Sequence, residues 1–216
     1  VRVLAIKNAK NEGLEYIENI FEARNIEFDY VMAKEIEEVS EYLDYTHFII
    51  LGGPQGVYED DKHPYLKKEM ELIRLVDGKK PVLGVCLGAQ LIANAFGADV
   101  YKYKKELGWY SVRKVADLPF PDEMVVFQWH QDTFNIPEDA KIVFKGDNVE
   151  NQGFILRKNV AVQFHLEVTK DTVRNWLESE GSLDDEVKDR IVEDTDKYID
   201  DLNRNTEILI EWFLNL

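Results

Sequence analysis

Apolar positions along the first hundred residues follow two alternating rhythms. Residues 2–6, 28–31, 48–51 and 82–85 are short runs rich in Val, Ile, Leu and Phe, the mark of strands. The run Phe48-Ile49-Ile50-Leu51 contains no polar residue, which suits a strand buried on both faces of a parallel sheet. Between these runs, Leu14, Ile17, Ile20 and Phe21 recur at helical spacing, as do Leu66, Met70, Ile73 and Val76. Pro64 opens the second of these helices, where its missing N–H costs nothing, and Gly78 ends it. A third helix is expected over 87–96, closed by Gly97. This strand–helix alternation predicts an α/β fold with a doubly wound, mostly parallel sheet.

The texture changes after Gly97. Strand candidates follow at 99–103, 111–115, 124–127, 141–144, 153–156 and 160–164, separated by turns rather than helices. They predict a mixed or antiparallel extension that returns to the main sheet at 160–164. From Thr169 the chain turns helical again. Residues 182–216 carry eleven acids and four bases, a net charge of −7. Ser182 is the expected N-cap there, with Asp184, Asp185 and Glu186 at the positive end of the helix. Ile199, Leu202, Leu209 and Phe213 are spaced to dock on the body. The organisation predicted is one domain over 1–180 and an acidic C-terminal helical appendage over 181–216 packed on it, its charge a solvated face rather than a binding tail.

Composition narrows the function classes. The chain has 216 residues, ample for a hydrophobic core, and a formal net charge of −16. Such a charge argues against nonspecific nucleic-acid binding, which rests on clustered Lys and Arg. No apolar run approaches the roughly 20 residues of a membrane helix, and the apolar start at 1–6 is too short for a signal peptide. The single cysteine excludes an internal disulfide. These features read as a soluble, cytoplasmic protein with neither nucleic acid nor membrane as partner.

The chemistry concentrates around that cysteine. Gly84-Val85-Cys86-Leu87-Gly88 follows an apolar strand and opens a helix, the setting of a nucleophile elbow with Cys in place of Ser. The helix N-terminus favours a thiolate there. A lone cysteine is normally a small core residue, but this context points to a nucleophile. Of four histidines, His47 and His63 read as structural or surface residues. His165 ends the apolar strand 160–164, and sites in such sheets form beyond the carboxyl ends of strands. Glu167, two residues on, can hold the imidazole in its working tautomer. A tetrahedral intermediate also needs oxyanion donors. The turn Gly52-Gly53-Pro54 offers one, and the N–H of Leu87 the other.

Taken together, Gly52-Gly53-Pro54, then Gly84-Val85-Cys86-Leu87-Gly88-Ala89-Gln90, then Gln163-Phe164-His165-Leu166-Glu167 resembles the class I (triad) glutamine amidotransferase family, over about residues 1–180. The resemblance implies a flavodoxin-like sheet, Cys86 as nucleophile, His165 as base, Glu167 as its orienter, and Gly53 and Leu87 as oxyanion donors. It further implies substrate contacts at Gln90 and at Trp129, His130, Gln131 and Asp132, no metal and no cofactor, and glutamine or a γ-glutamyl compound as substrate. A separate synthetase or acceptor subunit is the partner an amidotransferase of this length would need. Two departures stand out. Leu166 replaces the usual proline between the histidine and the glutamate, and Trp129-His130 stands where GMP synthase glutaminase subunits carry Ser-His. With Glu106-Leu107-Gly108-Trp109, these resemble stand-alone GMP-synthase-like members. A γ-glutamyl peptide hydrolase or transpeptidase with the same triad, and a non-catalytic regulatory module on the same fold, are the alternatives.

Overall fold

The computed structural model describes all of residues 1–216. One nine-stranded sheet runs through the molecule in the order β2-β1-β3-β4-β9-β8-β7-β5-β6. Its first five strands are parallel: β2 (Glu27–Met32), β1 (Arg2–Lys7), β3 (His47–Ile50), β4 (Val82–Val85) and β9 (Asn159–Val162). The remaining four, β8 (Asn151–Leu156), β7 (Lys141–Gly146), β5 (Val100–Lys114) and β6 (Glu123–Phe134), are antiparallel to their neighbours. The doubly wound α/β sheet with an antiparallel extension is the architecture expected from the sequence.

Two apolar cores flank the sheet, and strict alternation along β1 divides them. Val3 and Ala5 point into one core, with α1 (Tyr16–Ala23), α4 (Lys170–Ser179) and α5 (Asp185–Leu214). Leu4 and Ile6 point into the other, with α2 (Tyr65–Val76) and α3 (Leu87–Ala95). Period-two alternation in a strand between two helical layers requires apolar residues at both parities, which is why the strands read as unbroken apolar runs.

Three expectations differ from the fold. The candidates 99–103 and 111–115 are one strand, β5, interrupted by a register shift between Lys102 and Glu106. The candidate 124–127 is the middle of the twelve-residue β6. Lys104, Lys105 and Gly108 gave no strand pattern: the two lysines lie in the register shift, and from Glu106 onward the strand is held by its pairing with β6 and by a buried polar contact rather than by propensity. The N-cap of α5 is Asp184, not Ser182, whose hydroxyl instead donates to Glu180. The thirty-residue α5 also contributes more than four apolar contacts. Ile191, Ile199, Leu202, Leu209, Ile210 and Phe213 are buried in the larger core, while most of the acids face outward.

In a doubly wound sheet a crevice opens where strand order reverses, between β1 and β3 at their carboxyl ends. The loop 8–14 after β1, the turn at 52–56 after β3, Cys86 after β4 and His165 after β9 all converge there.

Candidate active site

Cys86 sits between β4 and α3 with φ 53° and ψ −106°, a conformation rare for a non-glycine residue. Such strain costs about 1–3 kcal/mol and persists only where the surroundings enforce it. Here the Cys86 N–H donates to Val162 O at 2.9 Å, and its carbonyl accepts from Gln90 N at 3.1 Å. The glycines on either side allow the tight approach. A Cβ on Gly84 would lie 2.7 Å from Ala89 N, and one on Gly88 would collide with the carbonyl of Ile50. The helix can therefore start directly against the backbone of β3 and β4. Leu87 is its first residue, so its N–H has no acceptor within the helix and is free for a ligand.

His165 follows β9 and is pinned by its backbone, its N–H donating to Phe127 O at 2.8 Å. Its ring is buried beside Phe127 and packs edge-on against Trp176, with ring centroids 5.1 Å apart. Nδ1 lies 2.6 Å from Glu167 Oε1, which turns Nε2 away from the carboxylate. Burial alone would lower the His165 pKa. The charges and hydrogen bonds of Glu167 and Cys86 outweigh it and hold the imidazole well above its ordinary value. The ring lies between a buried carboxylate and the only thiol in the chain. A thiol, an imidazole and a carboxylate in this order can perform nucleophilic acyl transfer.

The turn after β3 lies beside the thiol. A Cβ on Gly53 would stand 2.7 Å from Asn8 Cβ and 3.2 Å from Leu87 Cδ2, so only glycine lets this peptide approach the start of α3. The turn is tied down by Gln55, whose Nε2 donates to Asn8 O at 2.9 Å and to Tyr65 Oη at 2.9 Å. Beneath it, Asn8 donates from Nδ2 to Glu69 Oε1 at 2.9 Å. Glu69 is fully buried with no cation, and burial pushes its carboxyl up to about 8.

The opposite wall comes from β6. Trp129 O lies 3.8 Å from Cys86 Sγ, and Trp129 and Asp132 line the cavity with the exposed Gln131. Gln90 is buried, its Nε2 donating to Asp132 O at 3.3 Å and to Gln163 Oε1 at 3.1 Å. His130 borders the cavity too, but both its ring nitrogens are committed to protein. Nδ1 donates to Asp132 O at 2.8 Å, and Nε2 faces Glu106 Oε2 at 2.8 Å. Any part His130 plays toward a ligand therefore runs through the backbone it steadies. Glu106 also accepts from Gln152 Nε2 at 3.0 Å.

Of the residues singled out from the sequence, Gly53, Cys86, Gln90, Trp129, His130, Gln131, Asp132 and His165 line one crevice, with Leu87 next to Cys86 and Glu167 on the far nitrogen of His165. Trp176 and Glu12 line it as well, and Glu106 lies behind His130; none of the three was singled out for it. Glu106 falls in a recognisable motif that assigns it no role, Trp176 lies on the helix after His165, and the sequence signal for Glu12 was no more than an acid in the loop after the first strand. The cavity these elements enclose has a volume of about 640 Å³.

This elbow, with its buried histidine and carboxylate, defines a cysteine-centred α/β site. The family model for glutamine amidotransferase class-I matches residues 8–180. A crystal structure of a glutamine amidotransferase from Thermotoga maritima superimposes with a TM-score of 0.92 at 38% identity, covering 100% of this chain and 99% of that one. A glutamine-hydrolyzing GMP synthase subunit of Thermoplasma acidophilum is 32% identical over 59% of this chain and 72% of its own length. Gamma-glutamyl peptidase 4 of Arabidopsis thaliana is 28% identical over 65% of this chain and 61% of its own. The chain belongs to the class-I glutamine amidotransferase family. No helix in it is long and apolar enough to cross a membrane.

Proposed function

We propose that the chain hydrolyses the side-chain amide of glutamine through a γ-glutamyl thioester, with Cys86 as nucleophile, His165 as acid and base, and Glu167 as the group that orients it. The observation that carries this reading is the buried His165–Glu167 contact of 2.6 Å beside the strained Cys86. Cys86 gives its proton to His165 Nε2 as Sγ attacks the amide carbonyl carbon, and the oxygen takes the charge against the N–H groups of Gly53 and Leu87. The C–N bond breaks as His165 Nε2 gives its proton to nitrogen, and ammonia leaves. Water then attacks the thioester, its proton passing to His165, and the C–S bond breaks to release glutamate. Gln90 and the strand 129–132 hold the amino-acid end of the substrate. The ammonia passes to a separate acceptor protein, a destination supported by the likeness to one chain of a GMP synthase.

A second reading, a γ-glutamyl peptide hydrolase with the same triad, draws on the cavity, whose 640 Å³ suits a ligand larger than a glutamine side chain, and on the likeness to a gamma-glutamyl peptidase. Purified protein incubated with glutamine and with γ-glutamyl dipeptides, with ammonia and glutamate both measured, separates the two. Ammonia and glutamate in equal amounts from glutamine support the first. Glutamate from dipeptides with none from glutamine rejects it.

A further inference from the structure

Glu12 is a carboxylate inside the crevice that the hydrolytic scheme does not use. It follows β1 in a loop fixed on both sides. Asn8 donates to Glu69, and Asn11 O accepts from Trp176 Nε1 at 2.9 Å. Its side chain lines the cavity with Cys86 and His165, yet makes no hydrogen bond and no ion pair, although Lys102 and Lys105 line the same cavity. Its position is fixed by what surrounds Gly52. The point where a Cβ on Gly52 would stand lies 2.4 Å from Glu12 Oε2, 3.1 Å from His165 Cε1 and 3.6 Å from Cys86 Cβ. The carboxylate, the Cε1 edge of the imidazole and the cysteine therefore surround one small space above Gly52.

That edge adjoins the leaving group. Nδ1 of His165 is taken by Glu167, so Nε2 is the nitrogen that faces Cys86 and delivers the proton. Cε1 is bonded to Nε2, so a carboxylate across this space from Cε1, in the same cavity as Cys86, borders the volume in which Nε2 protonates its substrate. The geometry points to Glu12 as the residue that reads the leaving nitrogen: it accepts a spare N–H of a primary amide and repels a carboxylate carried by that nitrogen, which makes the site selective for glutamine over γ-glutamyl amino acids. This rests on the hydrolase reading proposed above and decides between its two substrate classes. Burial pushes the Glu12 carboxyl up to about 7 against the pull of His165, with Glu167 and Glu15 adding to the rise. A group so poised is anionic in a large fraction of molecules at neutral pH and wants a donor. An unpaired buried carboxylate is costly, and a departing N–H supplies the partner that the protein withholds.

The test compares glutamine, γ-glutamyl methylamide and γ-glutamylglycine, whose leaving groups are ammonia, a neutral amine and an amine bearing a carboxylate. Wild-type kcat/KM should fall in that order. Glu12→Gln should lower kcat/KM for glutamine about tenfold, the scale of one charge-assisted hydrogen bond, and raise it several-fold for γ-glutamylglycine. Equal loss on all three substrates, or no change on any, would overturn the assignment. So would a wild type that cleaves γ-glutamylglycine as well as the methylamide, a result that needs no variant to fold. A wild type inert toward all three would overturn the hydrolase reading and this assignment with it.

Discussion

The hydroxyl of Thr206, on the C-terminal helix α5, lies 2.6 Å from the carbonyl oxygen of Leu166, the residue between His165 and Glu167. The next carbonyl, Glu167 O, accepts from Tyr16 N on α1 at 2.8 Å. Two helices thus clamp the turn that carries the imidazole and its carboxylate. Leucine in this turn leaves the backbone freer than a proline would, and the clamp supplies the lost restraint. The acidic C-terminal helix is in this sense part of the site's frame.

Thr206→Val should therefore loosen the His165–Glu167 geometry. The substitution keeps shape but leaves Leu166 O without a donor in a fully buried setting, at a cost of about 1–3 kcal/mol. We expect a several-fold fall in kcat with little change in KM, a lower melting temperature, and recovery of both in Thr206→Ser. A kcat unchanged by Val despite the stability loss would show that the clamp serves folding alone.

Cys86→Ala should reduce glutamine hydrolysis by several orders of magnitude and leave the fold intact, since alanine keeps the Cβ and the same backbone conformation. A γ-glutamyl electrophile such as a diazo-ketone should label Cys86 and nothing else, since it is the only thiol. His165→Ala should match that loss, and Glu167→Gln should cost less because the ring keeps a partner but not its charge. Peptide mapping of the label and steady-state rates check each point. Near-wild-type turnover in Cys86→Ala would remove the proposed nucleophile.

Glu106 and His130 form a buried cross-strand pair in register between β5 and β6. Removing one member of this buried pair leaves the other's polar atoms without a partner, a loss of about 1–3 kcal/mol. Glu106→Ala should show that loss in denaturant unfolding. Because His130 Nδ1 holds Asp132 O, and Trp129 O faces the thiol, both Glu106→Ala and His130→Ala should raise KM more than they lower kcat. A collapse of kcat in His130→Ala equal to that in His165→Ala would mean that the roles of the two histidines are confused.

What was legible in the sequence was local. Gly84-Val85-Cys86-Leu87-Gly88 announces a strand, a sharp turn and a helix within five residues, because the constraint that shapes it is steric and acts between near neighbours. The strands β1, β3 and β4 were equally plain, since burial on both faces leaves a nearly unbroken apolar run, whereas β2 at the sheet edge is largely exposed. The centre of β5 was not, because Glu106 and Gly108 owe their strand to partners on β6, and Lys104 and Lys105 fall in the register shift before them. Glu12 and Trp176 escaped notice for the same reason. Each meets His165 only once the chain has folded, and nothing near either residue in sequence marks it as facing a cavity. On α5 the docking stripe Ile199, Leu202, Leu209 and Phe213 was legible, while Ile191 and Ile210 extend it.

The last expectation concerns pH and the turn after β3. Glu69 is buried beneath that turn with Asn8 Nδ2 on one oxygen, while Glu69 Oε2 and Asn8 Oδ1 have no partner. Burial raises its carboxyl from 4.5 to about 8, so between those values the folded chain holds a proton that the unfolded chain has released. A folded state that binds more protons loses stability as pH rises. The contribution is fully present below about pH 4.5, declines through pH 8, and levels off once the folded carboxyl also ionises. Glu69→Gln removes the titration while keeping nearly the same shape and an oxygen for Asn8. Against wild type, the variant should show a flatter stability curve between about pH 5 and 8, and its advantage should be largest near pH 8. Urea unfolding at half-unit pH steps provides the measurement. Parallel curves for the two proteins across that window would mean that Glu69 is ionised in the fold and that the turn carrying Gly53 rests on a buried charge.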